Sequence, residues 1–429
     1  MNGTCRMAVV LAAVLALTGC GKREQAAKSG DGEGAVTLRF WHILNYSGPR
    51  EILSRAVSRF EAANPGCRVE IQEFENDAYK TKLAVEIASG SPPDVMFTWG
   101  GGPLGEYARA GKVIDLSSVF DKDGWGSRFI DQALDLCRFE GRLYAVPLDL
   151  SAVMLWCNAD LFAQHGVEFP KTYDDLLRLC KVFRAAGLDP CALGNMKQWP
   201  GAFYFCYLAN RCGGTELFLD AAHGRNNASF ADPAFVRAGE LLRGLIEAEA
   251  FPVGFNGLDD GPARTRFVSG KAAMLLMGGW VVARVKDEQP AFLERMQAVP
   301  FPVVAGGKGD ASAVLGGINC GFAVTSSCKH PELAIELLRY LTDDQVVTEW
   351  CEGGRIPALV TTPEQEAKLP GPTRQAYAML KAASSLQPYY DQYLTPRLAV
   401  EHKNTTQNMF AGVMTPEQAA AKMAAAAKK

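Results

Sequence analysis

The chain has 429 residues, is 48% hydrophobic and carries a net charge of −3. That composition is globular and lacks the basic excess of a nucleic-acid or polyanion binder. Its five histidines are scattered without ligand spacing and no C-x-x-C occurs, so neither a metal centre nor another cofactor is expected. In chain order, Arg6 precedes an apolar run from Met7 to Leu17 that closes on small residues, the pattern of an export signal. The run is too short to span a bilayer, which takes roughly 20 apolar residues. No second long apolar run follows.

Leu17 to Cys20 reads L-T-G-C and resembles a bacterial lipobox. That resemblance implies cleavage before Cys20 and a lipid on its thiol, with residues 1–19 removed as a signal peptide. The next stretch, GKREQAAKSGDGEGA, is polar and without apolar periodicity, which suits a flexible tether over 20–35. The folded body is expected from Val36, outside the cytoplasm and held at the cell envelope. Nearly 400 residues exceed one ordinary core, so two domains are expected.

VTLRFW (Val36–Trp41) predicts a strand. PREILSRAVSRFEAA puts Ile52, Leu53, Ala56, Val57 and Phe60 on one helical face. CRVEIQEF alternates as a strand, DAYKTKLAVEIASG predicts a helix closed by Gly90, and DVMF predicts a third strand. Strand and helix in alternation indicate an α/β domain with a parallel sheet. Further mixed segments follow, and the Ala/Lys-rich tail from Thr415 reads as a surface helix or a frayed end. Twelve cysteines less Cys5 and Cys20 leave ten in the mature chain. An oxidising compartment permits bridges, with Cys180–Cys191, Cys206–Cys212 and Cys320–Cys351 the nearest candidates. The alternative is that several are free buried thiols.

WGGGPLG after the third strand contains a literal G-x-G-x-x-G, formed by Gly100, Gly102 and Gly105, with a helix expected over Gly105–Ala110. A dinucleotide fingerprint also needs an acidic residue about 20 positions on, at the end of the next strand. Asp115 is too near and Asp121 lies in a loop signal. The other reading is a sharp turn beyond the sheet edge that leaves Trp99 at a strand C-terminus, where open α/β sheets bind ligands.

LRFWH, LAVEIASGSPPDVMFTW, YAVPLDLSAVMLWCNADLF, FVSGKAAMLLMGGW, GGINCGFAVT and GGRIPA occur in this order. Together they resemble the extracellular solute-binding proteins of ABC importers, in the carbohydrate-binding, maltose-binding-protein-like group. Cys157 stands where that group usually has an aromatic. The resemblance implies a binding protein and not an enzyme, with an α/β fold of two lobes joined by hinge crossover strands around a ligand cleft. Hinges are expected near Leu148–Ser151, Pro300–Pro302 and Leu341–Asp343. One lobe would be 36–148 plus 303–342, the other 151–300 plus 343–429. The implied partners are a carbohydrate, the membrane subunits of an ABC transporter, and the membrane through Cys20. No nucleic acid is implied, and a monomer is expected.

A sugar offers apolar C–H faces and a rim of hydroxyls. Aromatic rings cover the faces, and Asp, Asn and Arg read the hydroxyls. Loop positions nominate Trp41, His42, Trp99, Asp149, Trp199, Trp280, Asn319, Arg355, Tyr389, Tyr390 and Asp391 as ligand-binding residues. Each has a structural alternative: the tryptophans as core, His42 as a satisfied histidine, Asp149 and Arg355 as local ion-pair partners, one tyrosine as packing. Trp125, Trp156 and Trp350 sit in apolar contexts and are expected in the core. Two rival functions remain: binding of another small solute, such as a polyamine or glycerol phosphate, and an exported glycoside hydrolase. A phosphate site would want more basic residues than His42 and Arg355. A hydrolase would need paired carboxylates.

Overall fold

The computed structural model describes residues 36–428; the expected signal peptide, Cys20 and the tether lie outside them. Strand β1 (Val36–His42) pairs in parallel with β2 (Cys67–Glu73) and with β3 (Val95–Thr98). Helix α1 (Ser47–Ala63) connects the first two and buries Ile52, Leu53, Ala56, Val57 and Phe60, the face its sequence predicts. Helix α2 (Asn76–Ser89) ends on Gly90 in the left-handed region (φ 82°), which a residue without Cβ adopts freely.

Two long strands carry the chain out of this layer. Val146–Asn158 is buried at every position, so it is apolar on both faces and does not alternate, apart from the buried polar residues Asp149, Ser151 and Asn158. It pairs antiparallel with Val314–Val324, setting Gly316 against Ala152, Gly317 against Ser151 and Ile318 against Leu150. Leu148, Leu150 and Ile318 belong to one hydrophobic core; Ala152, Val153 and Leu315 belong to another. Both strands therefore pass between cores at Ser151 and Gly316–Gly317. The path runs β2, β1, β3, Val314–Val324, Val146–Asn158, Ala272–Gly278, Asp189–Ala192. This is the mixed α/β, two-lobed architecture. The first core also takes in Val346, Trp350 and Leu369, while the second takes in Phe301, Leu398 and Met423.

The second core is built around Trp199–Gly213, a helix apolar on nearly every face and buried accordingly. The C-terminal segment decides between its two sequence readings. Pro416–Ala427 starts with a Thr415–Gln418 capping box and buries Ala419, Ala420, Met423 and Ala424 against the Pro396–Phe410 and Pro233–Glu247 helices. Small side chains permit that close helix approach, so the tail is a surface helix docked on one face, with Glu417, Gln418, Ala421, Lys422 and Ala425 exposed on the other, and not a frayed end. The ten cysteines from Cys67 to Cys351 are all free thiols, nine of them buried, and the three candidate bridges are not formed. Trp125, Trp156 and Trp350 are core residues. Among the described residues, no helix is long and apolar enough to cross a membrane, and no three His, Cys, Asp or Glu side chains cluster as for a metal.

Candidate binding site

Trp99 follows β3 and is half-buried, edge-on to Phe97 at 4.8 Å and to Tyr79 at 6.0 Å. The glycine string after it is a device for close approach. Gly100 (φ 71°) and Gly101 (φ 61°) take left-handed turns that other residues adopt only under strain. A Cβ at Gly102 would lie 2.7 Å from the Leu394 carbonyl carbon and 2.8 Å from the Tyr393 carbonyl oxygen. The helix here is Gly101–Arg109, and it starts inside the glycine string, not at Gly105. Its first turn faces the backbone of residues 392–394, which fills the space a pyrophosphate would need.

On the other lobe, Trp199 opens the Trp199–Gly213 helix and Trp280 opens the Trp280–Glu288 helix. Their rings are 6.0 Å apart, and Phe203 lies 5.6 Å from Trp199 and 6.1 Å from Trp280. Gly278 makes room for the Trp280 ring, which a Cβ there would overlap. A cavity of about 160 Å³, enough for several water molecules, is lined by Trp99 from the first lobe and by Trp199, Phe203 and Trp280 from the second. Asn319 also lines it. The strand register slips between Ile318 and Cys320, a bulge that leaves Asn319 outside the ladder.

Arg355 reaches the cavity from below. Its Nε donates to Asp149 Oδ2 at 2.7 Å, its Nη2 donates to the same oxygen, and its Nη1 donates to the Tyr46 hydroxyl. Trp350 Nε1 adds a donor to Asp149 Oδ2 at 3.2 Å. Burial works against the Arg355 charge, but Asp149 beside it holds its pKa above the ordinary arginine value. Tyr46, so fixed, carries the Arg284 guanidinium over its ring at 4.1 Å. Lys80 lies over the Trp99 ring at 4.7 Å; burial lowers its pKa, and Asp391 works in the other direction. Asp260 is pushed up by burial and by neighbouring Asp259.

Of the nominated residues, the cavity brings together Trp99, Trp199, Trp280, Asn319, Arg355 and Asp391. Five others lie outside its lining. Trp41 is buried against Phe74, 4.8 Å away. His42 is buried, its Nδ1 accepts from the Leu44 N–H at 3.2 Å, and burial lowers its pKa to about 4. Asp149 serves as the counter-ion of Arg355. Tyr389 donates its hydroxyl to the Ser151 carbonyl at 2.9 Å, and Tyr390 stacks on Phe218 at 3.8 Å. Both tyrosines thus face structure and not the cavity. The sequence reading missed Tyr46, Lys80, Phe203, Asp260 and Arg284. Two of these had a signal: Phe203 and Arg284 stand four positions after Trp199 and Trp280, on the same helical faces.

The family described as bacterial extracellular solute-binding protein matches residues 46–348. A probable sugar-binding periplasmic protein of Mesorhizobium japonicum is 29% identical over 205 residues, 48% of this chain and 48% of its own length. The aligned stretch thus spans about half of that relative. The maltodextrin-binding protein of Bacillus subtilis is 26% identical over 353 residues, covering 79% of this chain and 76% of its own. Among solved structures, one described with xylan utilization by Caldanaerobius polysaccharolyticus superposes with a TM-score of 0.86 at 31% identity, covering 91% of this chain and 99% of that one.

Proposed function

The chain belongs to the bacterial extracellular solute-binding protein family, and from that premise we propose that it captures a mono- or oligosaccharide outside the cytoplasmic membrane and delivers it to an ABC importer. The observation that carries this is the cavity, with Trp99 on one lobe and the Trp199–Phe203–Trp280 cluster on the other. Aromatic rings, each burying about 150–250 Å², match the C–H faces of a sugar ring. Asn319, Arg355 and Asp391 supply donors and acceptors for its hydroxyls. Three of the relatives and solved structures are described by a sugar, a maltodextrin and a chitin oligosaccharide, which supports the same substrate class.

The lobes are assigned by packing. Asp343 to about Leu369 is counted with the first lobe, because Val346, Trp350 and Leu369 lie in its core. Ser151 and Gly316–Gly317 are the proposed hinge positions. Contacts from both lobes to one ligand favour the closed state selectively. A lipid on Cys20 would hold the protein at the membrane as a monomer.

The test is calorimetry against mono- and oligosaccharides, with solution scattering of the free and loaded protein. Saturating sugar should lower the radius of gyration and be recovered intact. Trp280→Ala should weaken binding by about tenfold or more while the fold persists. Tight binding without compaction would refute closure between lobes, and cleaved sugar would establish the hydrolase alternative.

A further inference from the structure

The cavity is charged in a way a neutral sugar does not require. Lys80, Lys197, Arg284 and Arg355 line it, as do Glu75, Asp260 and Asp391. Most of these charges are already matched. Arg355 is bound to Asp149. Glu75 accepts from the N–H groups of Asp77 at 2.9 Å and Ala78 at 3.2 Å, and Lys197 lies 3.9 Å from Glu75 and 3.7 Å from Asp77. Asp260 has Arg264 at 3.8 Å.

Two cations are left. Lys80 has one carboxylate within 4.0 Å, Asp77 at 3.9 Å, which it shares with Lys197, and Asp391, farther off in the cavity lining, also acts on it. Arg284 has, among the described residues, no carboxylate within that range and no hydrogen-bond acceptor. A guanidinium offers five N–H donors, and here it lies on the Tyr46 ring at the cavity wall, with Asp260 acting on it from beyond ion-pair range. Each of the two cations also lies over an aromatic face, Lys80 on Trp99 at 4.7 Å and Arg284 on Tyr46 at 4.1 Å. Lys80 takes one face of Trp99, which still lines the cavity opposite the Trp199–Phe203–Trp280 cluster. Lys80 belongs to the first lobe and Arg284 to the second, so one anion reaching both would add a contact that exists only when the lobes are closed.

We infer that the ligand of this site is an anionic saccharide, whose carboxylate or phosphate group is held between Lys80 and Arg284. This rests on the sugar-binding reading and narrows its substrate class. It also revises the requirement on which the sequence reading set aside a phosphate ligand, since the fold gathers basic residues that are far apart in the chain.

The experiment is calorimetry on the intact protein with three sets of probes: neutral oligosaccharides, the same oligosaccharides bearing a glucuronic acid, and sugar phosphates with glycerol phosphate. Either the uronate or the phosphate set should bind about tenfold or more tightly than the neutral set at low salt, and the preference should shrink at high salt. Which set wins identifies the anion. Lys80→Met and Arg284→Met should each lower the ratio of anionic to neutral affinity by about tenfold, whatever each does to neutral binding itself. Lys80→Arg should retain that ratio, which separates a charge effect from lost packing. Neutral sugars binding as tightly as both anionic sets would overturn the proposal and leave the sugar reading standing. Binding by none of the saccharides would overturn both.

Discussion

Replacing Arg355 with methionine tests how the cavity floor is built. The Asp149 and Arg355 side chains are 1% and 2% exposed. Asp149 Oδ1 has no partner, so the carboxylate depends on what reaches Oδ2: two guanidinium nitrogens and the Trp350 indole. Arg355→Met leaves a buried carboxylate with a single neutral donor. Removing one partner of a buried pair costs about 3–5 kcal/mol, because the remaining charge is left uncompensated. The cost depends on pH. Burial already raises the Asp149 pKa against the pull of Arg355, and without Arg355 only neutral donors oppose it, so the folded pKa rises further above the unfolded value of about 3.9. The folded variant then binds the proton more readily than the unfolded chain. Its deficit is largest above the raised pKa and shrinks as the pH falls toward about 4. Urea denaturation of both proteins at about pH 7.5 and about pH 5 reads this directly, since the histidines cancel in the difference. The expected result is a deficit of about 3–5 kcal/mol at the higher pH and a smaller one at the lower, with Asp149→Asn in the same chain restoring part of it. A deficit under about 1 kcal/mol, or one that grows on acidification, would refute the reasoning.

His42 and His402 are both buried, with pKa values lowered by burial to about 4 and about 3. The unfolded chain therefore binds more protons below about pH 6.5, and stability present above that pH is lost on acidification, by roughly 2 kcal/mol per histidine at about pH 5. His42→Gln and His402→Gln should flatten the denaturation profile between these limits; an unchanged slope would contradict it. Gly102→Ala forces residues 101–109 away from residues 392–394 and should weaken ligand binding by about tenfold, while Gly371→Ala, with open space around its Cβ, should not. Equal affinities in the two variants would show that the glycine string plays no part in closure.

Local pattern was enough for much of this fold. The apolar stripe of α1, the alternation of β2 and the Gly90 stop are properties of a few neighbouring residues, so they can be read one segment at a time. Trp99, Trp199 and Trp280 were legible as site candidates because glycines or an element end flank them. The remainder depended on which segments meet. Trp41, His42, Tyr389 and Tyr390 carry the right chemistry, but their rings find partners in Phe74, the Leu44 N–H, the Ser151 carbonyl and Phe218, each supplied by packing. Val346 and Trp350 joined the first core for the same reason. Lys80 looked like an ordinary helix-surface charge, because nothing near it in the chain says it faces a cavity, whereas Arg284 could be placed only through Trp280 one turn before it. A residue's own helix or strand fixes its side of that element; whether that side meets solvent, core or ligand is decided by contacts between residues hundreds of positions apart, as where Asp149 meets Arg355.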